Sequence, residues 1–176
     1  MNIFRAIFSV LALCMSGAAW AGPIPETQES GMGMLSFDLP AQQSGAFEVS
    51  FDATPLADHI DAFTGISEAD PRKGRDVAAI VRFSDKGTID VPNGNSFRAD
   101  QTLRYSANTV YRVRMVIDVP SKTYSVFVTP PGQPEVSLAS KYSFRTGAQA
   151  LRKIVLAGYN GKHRVGGVSL KAVSAP

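Results

Sequence analysis

The sequence predicts an all-β protein, an antiparallel two-sheet β-sandwich, and three features predict it. Short runs alternate apolar and polar side chains with a period of two. Gly, Pro, Asn and Asp interrupt those runs about every 8–12 residues. One stretch, residues 109–130, spells out a complete hairpin. A strand sends successive side chains to opposite faces, so this pattern buries one face of each strand and wets the other.

The hairpin carries the argument furthest. Tyr111, Val113, Met115 and Ile117 alternate with Arg112, Arg114, Val116 and Asp118. Val119-Pro120-Ser121-Lys122 follows, with Pro at the second position of a type I turn, where its fixed φ belongs. Thr123 to Thr129 then alternate on the way back. Placing Asp118 opposite Thr123 pairs 112 with 129, 114 with 127 and 116 with 125. That register collects Tyr111, Val113, Met115, Ile117, Tyr124, Val126 and Val128 on one face. Arg112, Arg114, Asp118, Ser125 and Phe127 fall on the other. A slip of one residue would mix the two sets, so pattern and turn specify the same pairing.

The same periodicity predicts strands near 34–39, 47–53, 60–66, 77–83, 87–91, 109–119, 123–129, 135–139, 153–158 and 165–173. In the 77–83 arm, Val77, Val81 and Phe83 point one way and Ala78, Ile80 and Arg82 the other. Being apolar on both sides until Arg82, it reads as a central strand. Residues 84–87 turn it into 88–91, and Pro92-Asn93-Gly94-Asn95 ends the pair. Residues 146–151 read as a short helix or helical turn. Gly166-Gly167 in the last strand reads as a bulge.

The first 21 residues have the layout of a secretory signal: Arg5, an apolar run from Ala6 to Met15, and Ala19-Trp20-Ala21. That run is shorter than the roughly 20 residues a membrane span needs. Cleavage after Ala21 is expected. Leu13 before Cys14 argues against lipidation of that cysteine. Residues 22–33, rich in Gly and Pro, read as a flexible lead-in to a sandwich over 34–176. Cys14 is the sole cysteine, so the processed chain forms no disulfide and depends on its core. The expected location is the periplasm or the extracellular medium. The chain holds 18 Lys and Arg against 15 Asp and Glu. Arg5 leaves with the signal, so 17 bases and 15 acids remain. They are interspersed, without the basic stripe of a nucleic-acid binder.

A resemblance builds on Asp76–Phe83, Gly87-Thr88-Ile89-Asp90, Phe97-Arg98-Ala99-Asp100, 111–131 (YRVRMVIDVPSKTYSVFVTPP) and Tyr142-Ser143-Phe144-Arg145. Together these look like the concanavalin A-like (laminin-G-like) jelly-roll domains of secreted bacterial proteins, over roughly residues 47–173. The resemblance implies carbohydrate binding, adhesion or, in some branches, glycan cleavage. No cofactor is assigned; the resemblance leaves room for a structural calcium at a loop rim, against the plainer reading of such loops as solvated turns. The acid-bearing loops for it are Glu68-Ala69-Asp70 and Asp90 with Asn93 and Asn95, though neither has a defined calcium-loop spacing.

Catalytic patterns are thin. Glycoside hydrolysis needs paired carboxylates, and no strand carries an alternating acid set. Asp58-His59-x-Asp61 beside Pro55 reads as a turn. Arg112-Val113-Arg114 lacks the glutamate that jelly-roll lyases place in that strand, and His163 reads as part of a Gly/Lys-rich loop, Asn160-Gly161-Lys162-His163, without a Gln partner. No catalytic residues are assigned, and the chain is expected not to be an enzyme. Two histidines and no retained cysteine leave no zinc site to assign.

The candidate ligand face is therefore the outer side of the hairpin: Arg112, Arg114, Ser125 and Phe127, with Arg82 on a neighbouring strand. A guanidinium forks to a carboxylate and an aromatic ring stacks on a sugar. The expected partner is a polysaccharide, with an acidic one favoured. The loss of Trp20 with the signal removes a favoured sugar platform. The competing expectation is an envelope or extracellular protein partner at the same face.

Overall fold

The computed structural model describes residues 27–173. The signal sequence, Cys14 and the first part of the lead-in lie outside them. Twelve strands form the described chain: β1 (Thr27–Glu29), β2 (Gly33–Gln43), β3 (Ala46–Pro55), β4 (Asp61–Ser67), β5 (Ala79–Phe83), β6 (Thr88–Asn93), β7 (Ser96–Arg104), β8 (Tyr111–Asp118), β9 (Thr123–Thr129), β10 (Val136–Ser143), β11 (Leu151–Asn160) and β12 (His163–Ala172). They make two antiparallel six-stranded sheets. Sheet A runs β1-β12-β3-β8-β9-β10 and sheet B runs β2-β11-β4-β5-β6-β7.

The β8–β9 hairpin has the predicted register, with Arg112 opposite Thr129, Arg114 opposite Phe127 and Asp118 opposite Thr123. The turn closes with Lys122 N–H donating to Val119 O at 3.1 Å. Val113, Met115, Ile117, Tyr124, Val126 and Val128 enter the core together. From sheet B they meet Ile66, Val81, Phe83, Ile89, Val91, Ile154 and Leu156. Each such side chain, once buried, contributes roughly 1.5–3 kcal/mol. No disulfide is needed to hold two sheets with a shared interior of that size.

Several expectations change in the folded chain. The lead-in is not wholly loose, since Thr27–Glu29 pair with Arg164–Gly166 as an edge strand of sheet A. The pair that was to end at 92–95 continues, because Asn93 and Ser96 face each other and β7 follows. β7 is an edge strand exposed along most of its length, so no apolar alternation marks it in the sequence. Residues 146–151 form no helix. Phe144 N–H donates to Lys122 O and Arg145 N–H to Ala78 O, which holds the preceding chain extended between the two sheets. Thr146 Oγ1 then accepts from Ala148 N–H in a local turn.

β5 is central, between β4 and β6, but the 77–78 alternation breaks. Ala78 joins the main core, while Val77 packs with Phe63, Ile80, Val155 and Ala157 in a second cluster on the outer side of sheet B. Gly65 permits this, because a Cβ there would meet Val77 Cγ1 at 2.5 Å and Ala79 O at 2.7 Å. Segment 68–78 thus lies across the outside of sheet B. Among the described residues, no helix is long and apolar enough to cross a membrane.

Candidate functional site

On the outside of sheet A, the register sets Phe127 beside Arg114. The Arg114 guanidinium carbon stands 4.0 Å from the ring centroid, within cation–π range. Its Nε and Nη2 donate to Glu135 at 3.0 and 2.6 Å, and Nη1 donates to Glu48 at 3.2 Å. The Glu135 bond raises the Arg114 pKa against the opposing effect of burial. Conversely, Arg114 holds the Glu135 carboxyl below its usual value. Lys171 Nζ completes the row, 3.1 Å from Glu48. A charge ladder therefore crosses β12, β3 and β8 and ends at Glu135. An incoming carboxylate would have to displace Glu135 to reach the Arg114 fork. Ser125 is also engaged, its Oγ accepting from Lys141 N–H at 3.0 Å.

Arg112 has a more open setting. Its Nη1 donates to Asp52 at 3.2 Å and to Gly167 O at 3.3 Å, and its Nη2 to Ser50 Oγ at 3.0 Å. Nearly half of the Arg112 and Asp52 side chains remains exposed, 43% and 47%. Beside them is a cavity of about 310 Å³ lined by Asp52, Thr54, Val110, Arg164, Gly166 and Gly167. The predicted bulge is present, as the β12–β3 register shifts between Gly166 and Ser169 and Gly167 takes φ +59°. A Cβ at Gly167 would crowd Asp52 Oδ2 at 3.3 Å. The glycine thus lets the ion pair lie over the strand. Asp52, Arg164 and the exposed Val110 line one hollow, and Arg112 stands behind that lining through its bonds to Asp52 and Gly167.

Arg82 does not join this face. It lies on β5 in the middle of sheet B, and the core separates it from Arg112. Its Nε and Nη2 donate to Asp90 at 2.8 and 2.7 Å, and Nη1 reaches Asp61 at 3.4 Å. Burial is the largest single influence and opposes its charge, but the Asp90 bonds together with the charges of Asp90, Asp61 and Asp85 outweigh it, so its pKa rises. Its guanidinium covers Phe97 at 3.9 Å. A second cation, Arg145, stands 5.4 Å from the same ring. Arg145, Phe97 and Tyr159 come from three distant segments, so no sequence spacing announced them as one surface. Only the aromatic–Arg pairs Phe97-Arg98 and Phe144-Arg145 hinted at it.

The remaining polar candidates have structural partners. Asp58 accepts from Ala107 N–H at 2.8 Å, and His59 takes φ +54° with Nδ1 3.0 Å from Asp85 O. Asp70 accepts from Ser36 Oγ and pairs with Lys153. Asn93 Oδ1 accepts from Ser143 N–H. His163 is not on a loop but opens β12, fully buried. Among the described residues, no three His, Cys, Asp or Glu are grouped to hold a metal ion.

No protein-family model matches the chain. A 110-residue stretch is 36% identical to a gellan lyase from a Bacillus species, covering 60% of this chain and 4% of that enzyme. The chain therefore spans only a small fraction of the curated relative it matches. Among solved structures, lectin I-B4 from Griffonia simplicifolia superposes with a TM-score of 0.56 at 12% identity, covering 86% of this chain and 94% of the lectin. Peanut lectin does so with 0.54 at 11%, covering 90% and 96%. The catalytic domain of the glycoside hydrolase family 131 protein from Coprinopsis cinerea gives 0.53 at 16%, covering 75% and 58%. The fold is a concanavalin A-like jelly roll. In this jelly roll, the Arg112 hollow lies on the sheet that carries the first and last described strands. The Arg82–Phe97–Arg145 surface lies on the opposite sheet.

Proposed function

We propose that this jelly roll is an exported, non-catalytic domain that binds carbohydrate at the Arg112 end of sheet A, with an acidic polysaccharide as the favoured ligand. One observation carries the reading: the half-exposed Arg112–Asp52 pair beside an open hollow of about 310 Å³. Sugar hydroxyls need donors and acceptors held side by side, and this pair presents both from rigid strands. Arg164, half-exposed and paired with Glu29 at 3.6 Å, adds a second cation at the rim for a uronate carboxylate. The likeness to lectins and the partial match to a gellan lyase agree with a saccharide ligand. The signal-like residues 1–21 support export to the periplasm or beyond.

Affinity electrophoresis in gels containing gellan, polygalacturonate, alginate or a neutral glucan tests this. The acidic gels are expected to retard the protein. Arg112→Ala and Asp52→Ala should each weaken binding about tenfold or more, which is about 1.4 kcal/mol. Migration unchanged in every gel, or binding untouched by Arg112→Ala, ends the reading. Release of unsaturated saccharide ends from gellan by the purified chain would replace it with a lyase, and release of new ends without unsaturation with a hydrolase.

A further inference from the structure

The outer face of sheet B holds a cation without a counter-charge. Arg145 Nη1 donates to Gly74 O at 2.7 Å, and its Nε is buried with no hydrogen-bond partner. Among the described residues, no carboxylate pairs with it, whereas Arg82 on the same face has Asp90 and Asp61. A buried, unsatisfied donor costs more on a charged group than on a neutral one. Burial is the largest influence on Arg145 and presses its pKa downward.

The surroundings favour an anion. Gly74 belongs to Pro71-Arg72-Lys73-Gly74-Arg75-Asp76, whose three basic side chains are exposed. The acid of that loop is exposed but engaged by its own backbone, with Asp76 Oδ2 accepting from the N–H groups of Arg72 and Lys73 at 3.0 Å each. Two aromatic rings flank the cations. Tyr159, 48% exposed, leans on Phe63 at 6.0 Å, and its Oη lies 3.0 Å from where a Cβ on Gly74 would stand. Phe97, 37% exposed, lies beneath Arg82 and Arg145. Tyr159 is on β11 and Phe97 on β7, four strand steps apart across sheet B. At about 4.8 Å per step that is about 19 Å, the span of an oligosaccharide rather than of one sugar.

We infer that this surface is a carboxylate-selective subsite for a uronate-containing polysaccharide, with Arg145 and the 72–75 basic loop facing the carboxylates and Tyr159 and Phe97 facing sugar rings. A planar carboxylate matches the planar guanidinium fork and supplies the counter-charge that Arg145 lacks. The exposed Tyr159 ring, and the part of Phe97 that Arg82 and Arg145 leave uncovered, offer the apolar faces of pyranose rings a place to stack. The inference rests on the glycan-binding reading and deepens it, but it uses the opposite sheet from Arg112.

The test is calorimetric titration of the full chain with polygalacturonate oligosaccharides and with their methyl esters, which keep the sugar and lose the charge. The acid should bind at least tenfold more tightly. Arg145→Lys, which keeps the charge and loses the fork, should abolish most of that preference without weakening ester binding. Should Arg145→Lys fail to fold, Arg72→Ser/Lys73→Ser/Arg75→Ser and Tyr159→Ala, both on exposed side chains, should reduce acid binding in its place. Equal affinity for acid and ester, a preference unchanged by these variants, or equally tight binding of single-stranded DNA overturns the inference. If the ester binds and only the preference is missing, the Arg112 reading survives. If neither acid nor ester binds, that reading falls as well.

Discussion

His163 Nε2 stands 2.8 Å from Thr64 Oγ1, joining the first residue of β12 in sheet A to the middle of β4 in sheet B. Its Nδ1 is 3.0 Å from Ser30 Oγ, which also accepts from the His163 N–H at 2.9 Å. Hydroxyls donate or accept as required, so both ring nitrogens of a neutral imidazole are satisfied. Burial pushes the pKa down to about 3. Unfolding returns the ring to water, where it titrates near 6.5. Between those values the unfolded chain binds the extra proton, so stability present above pH 6.5 is lost as pH falls through the window. The slope is at most about 1.4 kcal/mol per pH unit. Urea midpoints measured from pH 7 to pH 5 should fall, and His163→Gln should flatten the trend. An equally steep decline in the variant would assign the loss to other groups.

Tyr124 provides a second link between the sheets. Its Oη donates to Pro92 O at 2.5 Å, from β9 to β6, and the ring is fully buried. Tyr124→Phe keeps the ring and leaves the carbonyl unpaired. A loss of about 1–3 kcal/mol is expected. It should appear as a lower denaturant midpoint with an unchanged m-value.

Gly65 fixes how segment 68–78 crosses sheet B. Gly65→Ala puts a methyl group against Val77 Cγ1 and Ala79 O. A backbone oxygen cannot rotate away, so the strand or the segment must shift. The expected cost is about 1–3 kcal/mol. Faster hydrogen exchange over 72–78, with the β8–β9 hairpin still protected, would confirm where the strain goes. Uniform loosening of both sheets would contradict it.

Arg114 and Arg112 should behave differently although they are two residues apart. Arg114→Ala removes the cover of Phe127 and the partner of Glu135. A double-mutant cycle with Phe127→Leu should return a coupling of about 0.5–1 kcal/mol. Glycan affinity should stay within about twofold, because Glu135 and Glu48 already occupy the Arg114 fork. Loss of affinity in Arg114→Ala to match Arg112→Ala would mean the whole ladder opens to ligand.

Periodicity and turn chemistry by themselves determined the jelly roll's strands wherever one face is buried. The β8–β9 register, the central position of β5 and the bulge at Gly166-Gly167 follow from local rules that each residue obeys with its neighbours. β7 and β1 were invisible because edge strands bury too little to leave an alternating pattern. The break at Val77 was invisible because it depends on Gly65, a glycine on another strand. Charge partners were also beyond the sequence. That Arg114 is closed by Glu135, that Arg112 stays open, that Arg82 faces Asp90 on the other sheet, and that Arg145 has no acid are decided by which strands the two sheets bring side by side. An ion pair acts over about 4 Å in space, and sequence distance carries no record of it.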